Sequence, residues 1–380
     1  MTVALVNARV LSAQGWREDL AVVVEGAQIR ALTPPGQIPP DARKHDLSGL
    51  MLLPGFIDCQ VNGGGGVLFN EQPTIGGIRA IGAAHRRFGT TGFLPTLISD
   101  AIDTMRVAIA ATDAAITGAV PGVLGIHLEG PFISRERKGV HAEKYLHAPD
   151  AGELGVAESL QHGKTLLTLA PECVTPEAIR NLAAAGVIIA AGHSNADYAT
   201  VRAALDAGVR GFTHLFNAMS PLTSRAPGVV GAALDDPDAW CGVIVDGHHV
   251  DAATLRIALR AKPRGKIFLV TDAMPPVGAA DPAYVLNGET ITARNGICQT
   301  ASGTLAGSAL SMIDAVRNTV EMLNVPLDEA VRMGSTYAAD FLGLDATHGR
   351  IEAGCRADFT VIDRNLRVTE TWIGGVAQAA

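Results

Sequence analysis

The sequence predicts a (β/α)8 barrel carrying a small β-sandwich built from both chain ends. Three observations lead there. Apolar, strand-like runs alternate with helix-like stretches through the centre of the chain. Polar, chemistry-bearing residues follow the C-terminal ends of those runs. Both termini are β-rich and lack helical periodicity. Repeated strand-then-helix units imply a parallel sheet, and a barrel places its ligands at strand C-terminal ends. An open doubly wound sheet would place them there too, but no glycine-rich dinucleotide fingerprint stands in position.

Residues 1–52 read as the first part of the sandwich. Val3–Val6 and Ala21–Val24 are β-rich, and Gly15, Gly26, Pro34-Pro35-Gly36 and Pro39-Pro40 punctuate them. Alternation begins near Leu53-Pro54-Gly55 and defines the barrel over residues 53–345. Within it, 186–191 reads as a buried strand. Asp197 is placed to cap a helix with Val201 and Leu205 on one face and Gly208 near its end. Residues 241–245 form another strand, followed by a helix capped by Asp251, carrying Leu255 and Leu259, and stopped at Lys262-Pro263. Residues 266–270 form a third. Between Pro275 and Ser302 the alternation lapses, and β pieces at 284–286 and 289–292 predict an excursion beside the strand ends, placed as a lid. Gly303–Ser308 leads into a helix from Leu310 to Asn324. Residues 346–380 return to β character and complete the sandwich.

Size and composition fit this plan. A barrel needs about 250 residues, so a chain of 380 leaves room for a second module. Hydrophobic residues make up 48% and aromatics 4%, so the core is built from Ala, Val, Leu and Ile, as suits strands buried under helices. A net charge of −8 argues against a nucleic-acid binder, which would show a basic stripe. A local cluster of Arg and His could still attract a small anion into a cleft. The five cysteines are scattered without a CxxC pair, pointing to free thiols in a reducing cytoplasm. Met1–Leu5 lacks a basic n-region, and no apolar run reaches the roughly 18 residues of a membrane span, so neither a signal peptide nor a membrane anchor is expected.

The chemistry concentrates in five strand ends: His127–Pro131, Gly192–Asn195, Thr213–Met219, Asp246–His249 and Thr271–Met274. Glu129, His193 and His214 offer one carboxylate and two imidazoles. Singly, each fits a structural role; together they match three protein ligands of a catalytic zinc-type site whose fourth position is left to water. Asp272 is placed either to move the proton of that water to a leaving nitrogen or to hold a ligand histidine. His141, His249 and Arg225 show no pattern of their own, and His248 competes with His249 for the inward position.

Taken together, these motifs resemble the amidohydrolase superfamily and, within it, the N-acetylglucosamine-6-phosphate deacetylase family. The matching stretches are 54–58 (PGFID) with 60–63 (QVNG), 127–132 (HLEGPF), 192–194 (GHS), 213–219 (THLFNAM), 246–249 (DGHH), 271–274 (TDAM), 303–308 (GTLAGS) and the tail 349–359. They span essentially the whole chain. The resemblance implies a barrel with a two-ended β-sandwich and removal of acetate from the 2-amino group of a 6-phosphorylated amino sugar. It implies Glu129, His193 and His214 as metal ligands, Asp272 as general base then acid, and His141 as the group that orients or polarises the carbonyl. Gln60, Asn62, His141, Asn217, the backbone at Ala218, Arg225, His249 and the segment Leu305, Ala306, Gly307 would contact substrate. A homodimer is implied, with Arg225 and His249 reaching the neighbouring subunit's phosphate. Many superfamily members carry His-x-His where this chain has Gln60-Val61-Asn62. Neutral amides are poor partners for a zinc-type ion, so one divalent ion per subunit is expected, zinc by donor type, with iron(II), cobalt(II) or manganese(II) able to replace it. The rival readings are the galactosamine epimer as substrate, cyclic amide hydrolysis, and a phosphosugar-binding protein without catalysis.

Overall fold

The computed structural model describes residues 2–294 and 296–380; Met1 and Asn295, which fall in the expected sandwich and excursion, lie outside the described residues. Eight strands form one parallel sheet in sequential order: β1 (Phe56–Val61), β2 (Thr90–Ile98), β3 (Gly125–Glu129), β4 (Lys164–Leu169), β5 (Ile188–Ala191), β6 (Val209–Phe212), β7 (Trp240–Val243) and β8 (Ile267–Leu269). A helix follows each of them: α1 (Ile75–Arg86), α2 (Ile102–Thr117), α3 (Ala151–Ala157), α4 (Pro176–Ala184), α5 (Tyr198–Ala207), α6 (Gly228–Asp235), α7 (Ala252–Ala261) and α8 (Met312–Leu323), with two short helices, Leu327–Met333 and Thr336–Leu342, after α8. The fold class expected from the alternation is therefore the one observed.

Local chemistry explains the helix starts. Thr74, Thr175, Asp197, Asp251 and Ser311 each accept a first-turn backbone N–H at the N-cap of their helices. Such a cap contributes about 1 kcal/mol. Asn324 ends α8 in the left-handed conformation at φ +56°, which Asn tolerates better than most residues. The strands are near-continuous apolar runs because helices cover one face and the barrel interior fills the other.

The barrel closes by few bonds. Between β1 and the chain after β8 there is a single parallel bridge, Val61 to Ala273, and the Asn62 N–H donates to the Ala273 carbonyl at 2.9 Å. Below it, the buried Asp58 carboxylate accepts the Thr271 hydroxyl at 2.5 Å and the Thr271 backbone N–H at 3.2 Å. Burial pushes Asp58 up to about 7 despite these donors. A carboxylate on β1 thus fixes the segment that carries Asp272.

Two further sheets come from the termini. One orders strands 28–33, 21–25, 2–6 and 43–46; the other orders 376–379, 368–373, 359–362, 51–54, 9–12 and 15–17. Phe359–Ile362 from the C-terminal part lies antiparallel to Met51–Pro54. Leu5, Val22, Val24, Leu52, Phe359 and Trp372 share one buried cluster, so both ends contribute to one core. The strand Met51–Pro54, inside which the expected boundary at residue 52 falls, runs almost directly into β1.

The excursion is a four-stranded antiparallel sheet of Ala283–Leu286, Glu289–Arg294, Ile297–Gln299 and Leu305–Ser308. The last strand lies where a lead-in to the helix was expected. Its register is set by the active-site segment: Ser308 N–H donates to Asp272 O, and Met274 N–H donates to Ser308 O, both at 2.9 Å. Tyr284, Leu286, Ile291 and Cys298 pack with Leu68, Ile98 and Met274 in a small core of their own.

Candidate active site

The candidate site occupies the C-terminal mouth of the barrel. Glu129 is the last residue of β3, while His193 and His214 each stand two residues past the ends of β5 and β6. His193, His214 and Asp272 take positive φ values of 48°, 32° and 52°. None is glycine, so each turn costs roughly 1–3 kcal/mol of backbone strain, held by the surrounding sheet. The turns at His193 and His214 bring their rings to Glu129 at the end of β3.

Ligand atoms of Glu129, His193 and His214 converge within 4.8 Å of one another. Glu129 Oε1 is 3.1 Å from His193 Nε2 and 2.9 Å from His214 Nε2, and the two Nε2 atoms are 3.1 Å apart. Donors around one tetrahedral ion at 2.0–2.2 Å would stand about 3.3–3.6 Å apart. His193 Nδ1 donates to the Arg137 carbonyl at 2.8 Å, which leaves the Nε2 lone pair facing the others. Two imidazoles and one carboxylate in this spacing fit a divalent cation. Burial alone would raise the Glu129 pKa, but the neighbouring His193 and His214 imidazoles hold it well below the usual range. For His214 burial acts downward, and the Glu129 hydrogen bond and charge outweigh it.

Asp272 lies beside this cluster. Its Oδ1 accepts from Asn62 Nδ2 at 2.6 Å and from Gln60 Nε2 at 3.1 Å. The same Gln60 nitrogen is 3.1 Å from Glu129 Oε1. The Gln60 amide therefore bridges two carboxylates. Burial and the Glu129 charge raise the Asp272 pKa above its ordinary value. A carboxyl tuned upward in a closed site is suited to exchanging protons near neutral pH.

His141 completes one wall. Its Nδ1 accepts the Ser99 backbone N–H at 3.2 Å and lies 2.7 Å from the Ser99 hydroxyl. That places the ring proton on Nε2. Burial pushes His141 down to about 3, so the ring is neutral and a hydrogen-bond donor. On another wall, His249 Nδ1 pairs with Asp246 Oδ2 at 2.7 Å. His249 lines the cavity and His248 is exposed, which decides between them.

Asn62, Asn217, Ala218, Leu305 and Gly307 also line this cavity of about 350 Å³. Gln60 lies beneath its floor, almost wholly buried. Two more expected contacts stand apart. Ala306 is fully buried, alternation turning it away from its neighbours, and its carbonyl accepts from the Tyr284 hydroxyl at 2.7 Å. Arg225 is exposed in the stretch 221–226 and does not line the cavity of its own chain. A larger hollow of about 470 Å³ near Lys262, Arg264 and Tyr337 lies at the N-terminal side of β8. It is remote from the strand C-termini, and its Arg264 is already paired with Glu329.

Several residues escaped the sequence reading. Ser99 and Arg137 hold His141 and His193, while the Asp246 that holds His249 lies in a cluster the sequence singles out. Ser99 was within reach, since it follows the apolar run of β2 directly and is succeeded by Asp100. The role of Arg137 rests on its backbone carbonyl, which no side-chain pattern can signal.

A closed parallel barrel with a histidine and carboxylate cluster at its C-terminal mouth defines a hydrolase of the metal-dependent barrel type. The model of the Amidohydrolase family matches residues 51–377, and the chain belongs to that family. It is 42% identical over 371 residues to the N-acetylgalactosamine-6-phosphate deacetylase of Shewanella sp. (strain ANA-3), covering 97% of this chain and 94% of the relative. It is 35% identical over 382 residues to the N-acetylglucosamine-6-phosphate deacetylase of Haemophilus influenzae, covering 99% of each. The crystal structure of N-acetylglucosamine-6-phosphate deacetylase from Pasteurella multocida superposes with a TM-score of 0.96 at 38% identity, covering both chains completely.

Proposed function

We propose that this protein hydrolyses the 2-acetamido group of N-acetylglucosamine 6-phosphate, releasing acetate and glucosamine 6-phosphate. The observation that carries the reading is Asp272, cradled by Gln60 and Asn62 beside the Glu129, His193 and His214 cluster. Full-length relatives named for this reaction support it. Glu129, His193 and His214 would hold one divalent ion, zinc by donor type, with iron(II), cobalt(II) or manganese(II) as alternatives; when bound it supplies Lewis acidity and an acidified water.

The chain's own residues do the rest. Asp272 accepts the proton of the attacking water and then gives it to the leaving nitrogen. His141 donates Nε2–H to the carbonyl oxygen as charge builds there. Asn217, the Ala218 backbone, Asn62, His249, Leu305 and Gly307 hold the sugar. The phosphate would be met by Arg225 from a second copy, in a homodimer acting in the cytoplasm. Acetate release by the zinc-loaded protein tests the reaction. Binding without turnover would return the protein to the sugar-phosphate binders.

The galactosamine epimer is the second reading, favoured by the 42% identical relative. The two substrates differ only at the sugar 4-hydroxyl, so kcat/KM measured for both decides between them.

A further inference from the structure

The Arg137 carbonyl is not the only restraint on His193, whose own carbonyl accepts the Ser134 N–H at 2.9 Å. The residues that follow it, Ser194 and Asn195, tie together the loops behind three strands. Ser194 N–H donates to Ala218 O at 3.0 Å, and Ser220 N–H donates to Ser194 O at 3.0 Å, joining the loop that follows His214. Ser194 Oγ donates to Glu172 Oε2 and Asn195 N–H to Glu172 Oε1, both at 2.6 Å, joining the loop after β4. The Asn195 side chain reaches the loop after β3. Its Oδ1 accepts from Arg137 Nε at 2.9 Å, and its Nδ2 donates to Glu136 Oε2.

That last contact bears on the metal cluster. Arg137 O is the acceptor that sets the His193 tautomer. It sits at the end of the single 3-10 turn Arg135–Arg137, and its neighbours Glu136 and Gly139 are exposed. The turn is anchored by the Arg137 N–H to Ser134 O at 3.1 Å and by Arg135 to the Leu146 carbonyl at 3.2 Å. The exposed Asn195 side chain adds the bonds to the side chains of Glu136 and Arg137. Asn195 grips the side chains of both Glu136 and Arg137, and so fixes the peptide between His193 and its partner oxygen. We infer that Asn195 is a positioning residue for the metal site: through Arg137 it orients His193 and so sets the affinity for the ion. Nothing in the reaction requires Asn195 to touch substrate. This inference rests on the metal-site reading above.

Orienting partners of metal-bound histidines change affinity by about 10–100-fold when removed. The test is a titration of Zn²⁺ alone into metal-free protein, in competition with a chromophoric chelator. Asn195→Ala is expected to weaken Zn²⁺ binding about tenfold or more while the melting temperature of the metal-free protein stays put. Arg137→Ala removes the same link from the other end and gives the answer if the first variant does not fold. The double variant should bind within about twofold of Asn195→Ala alone, because that substitution already removes the Arg137 contact. Unchanged Zn²⁺ affinity in either single variant overturns the inference, and so do losses that simply add. Failure of the unsubstituted protein to bind Zn²⁺ would instead sink the metal-site reading, and this inference with it.

Discussion

Asn62 Nδ2 donates to Asp272 Oδ1 across 2.6 Å, although the two residues lie 210 positions apart. The bond favours the ionised form of Asp272, against burial and the Glu129 charge, which favour the neutral acid. The balance sets the pH at which the proposed base is ready. Removing the donor in Asn62→Ala should raise the Asp272 pKa. Because activity needs the ionised form, the acid limb of the kcat/KM profile should move to higher pH by about one unit, the worth of one charge-assisted hydrogen bond. A profile that stays in place would separate Asn62 from the proton transfer.

Asp272→Asn keeps the shape of the side chain and removes its basicity. Turnover should fall by about 10²–10⁴-fold, while metal content stays at the unsubstituted level. Near-normal kcat would refute the assigned base.

Metal should be present at about one equivalent per subunit, because the cluster offers one full donor set. Stripping it with a chelator should abolish acetate release and lower the melting temperature, since an ion at 1,000 times its Kd stabilises by about 4 kcal/mol. Elemental analysis and calorimetry read both. Two equivalents would send attention back to Gln60 and Asn62.

Arg225 lies outside the cavity of its own chain, so its proposed role needs a partner. Arg225→Ala and Asp272→Asn should each be nearly inactive alone. Mixed after dissociation, half the dimers are hybrids, and each hybrid holds one intact site. Activity should then recover to about a quarter of the unsubstituted level. No recovery, with hybrid dimers shown to form, would remove Arg225 from the shared site.

His85 is fully buried, donates Nε2–H to Gly63 O at 2.9 Å, and leaves Nδ1 without a partner. Burial depresses it to about 4 from 6.5. The unfolded chain therefore binds more protons between those values. The stability this neutral ring contributes is present above pH 6.5 and is lost as pH falls through 4. Asp58 and Asp358, raised to about 7 and about 6, act in the opposite sense as pH rises. Comparison with His85→Asn isolates the histidine: the variant should lose up to about 1.4 kcal/mol per pH unit of slope in denaturant-derived stability. Parallel curves would show that His85 does not titrate on unfolding.

The strand ends were legible because the signal is local. An apolar run followed by a polar cluster reports burial and then exposure at the barrel mouth, and Glu129, His193, His214 and Asp272 all stand there. The helix caps at Asp197 and Asp251 were legible for the same reason, since a cap bonds within three residues of itself. Tertiary structure alone decided the rest. It turned His249 rather than His248 inward, left Arg225 outside, buried Ala306, and set Ser99 on His141 and the Arg137 carbonyl on His193. Gln60 joins Glu129 to Asp272 across separations of 69 and 212 residues. Such contacts depend on how eight strands close into a ring, and no neighbourhood along the chain encodes that distance.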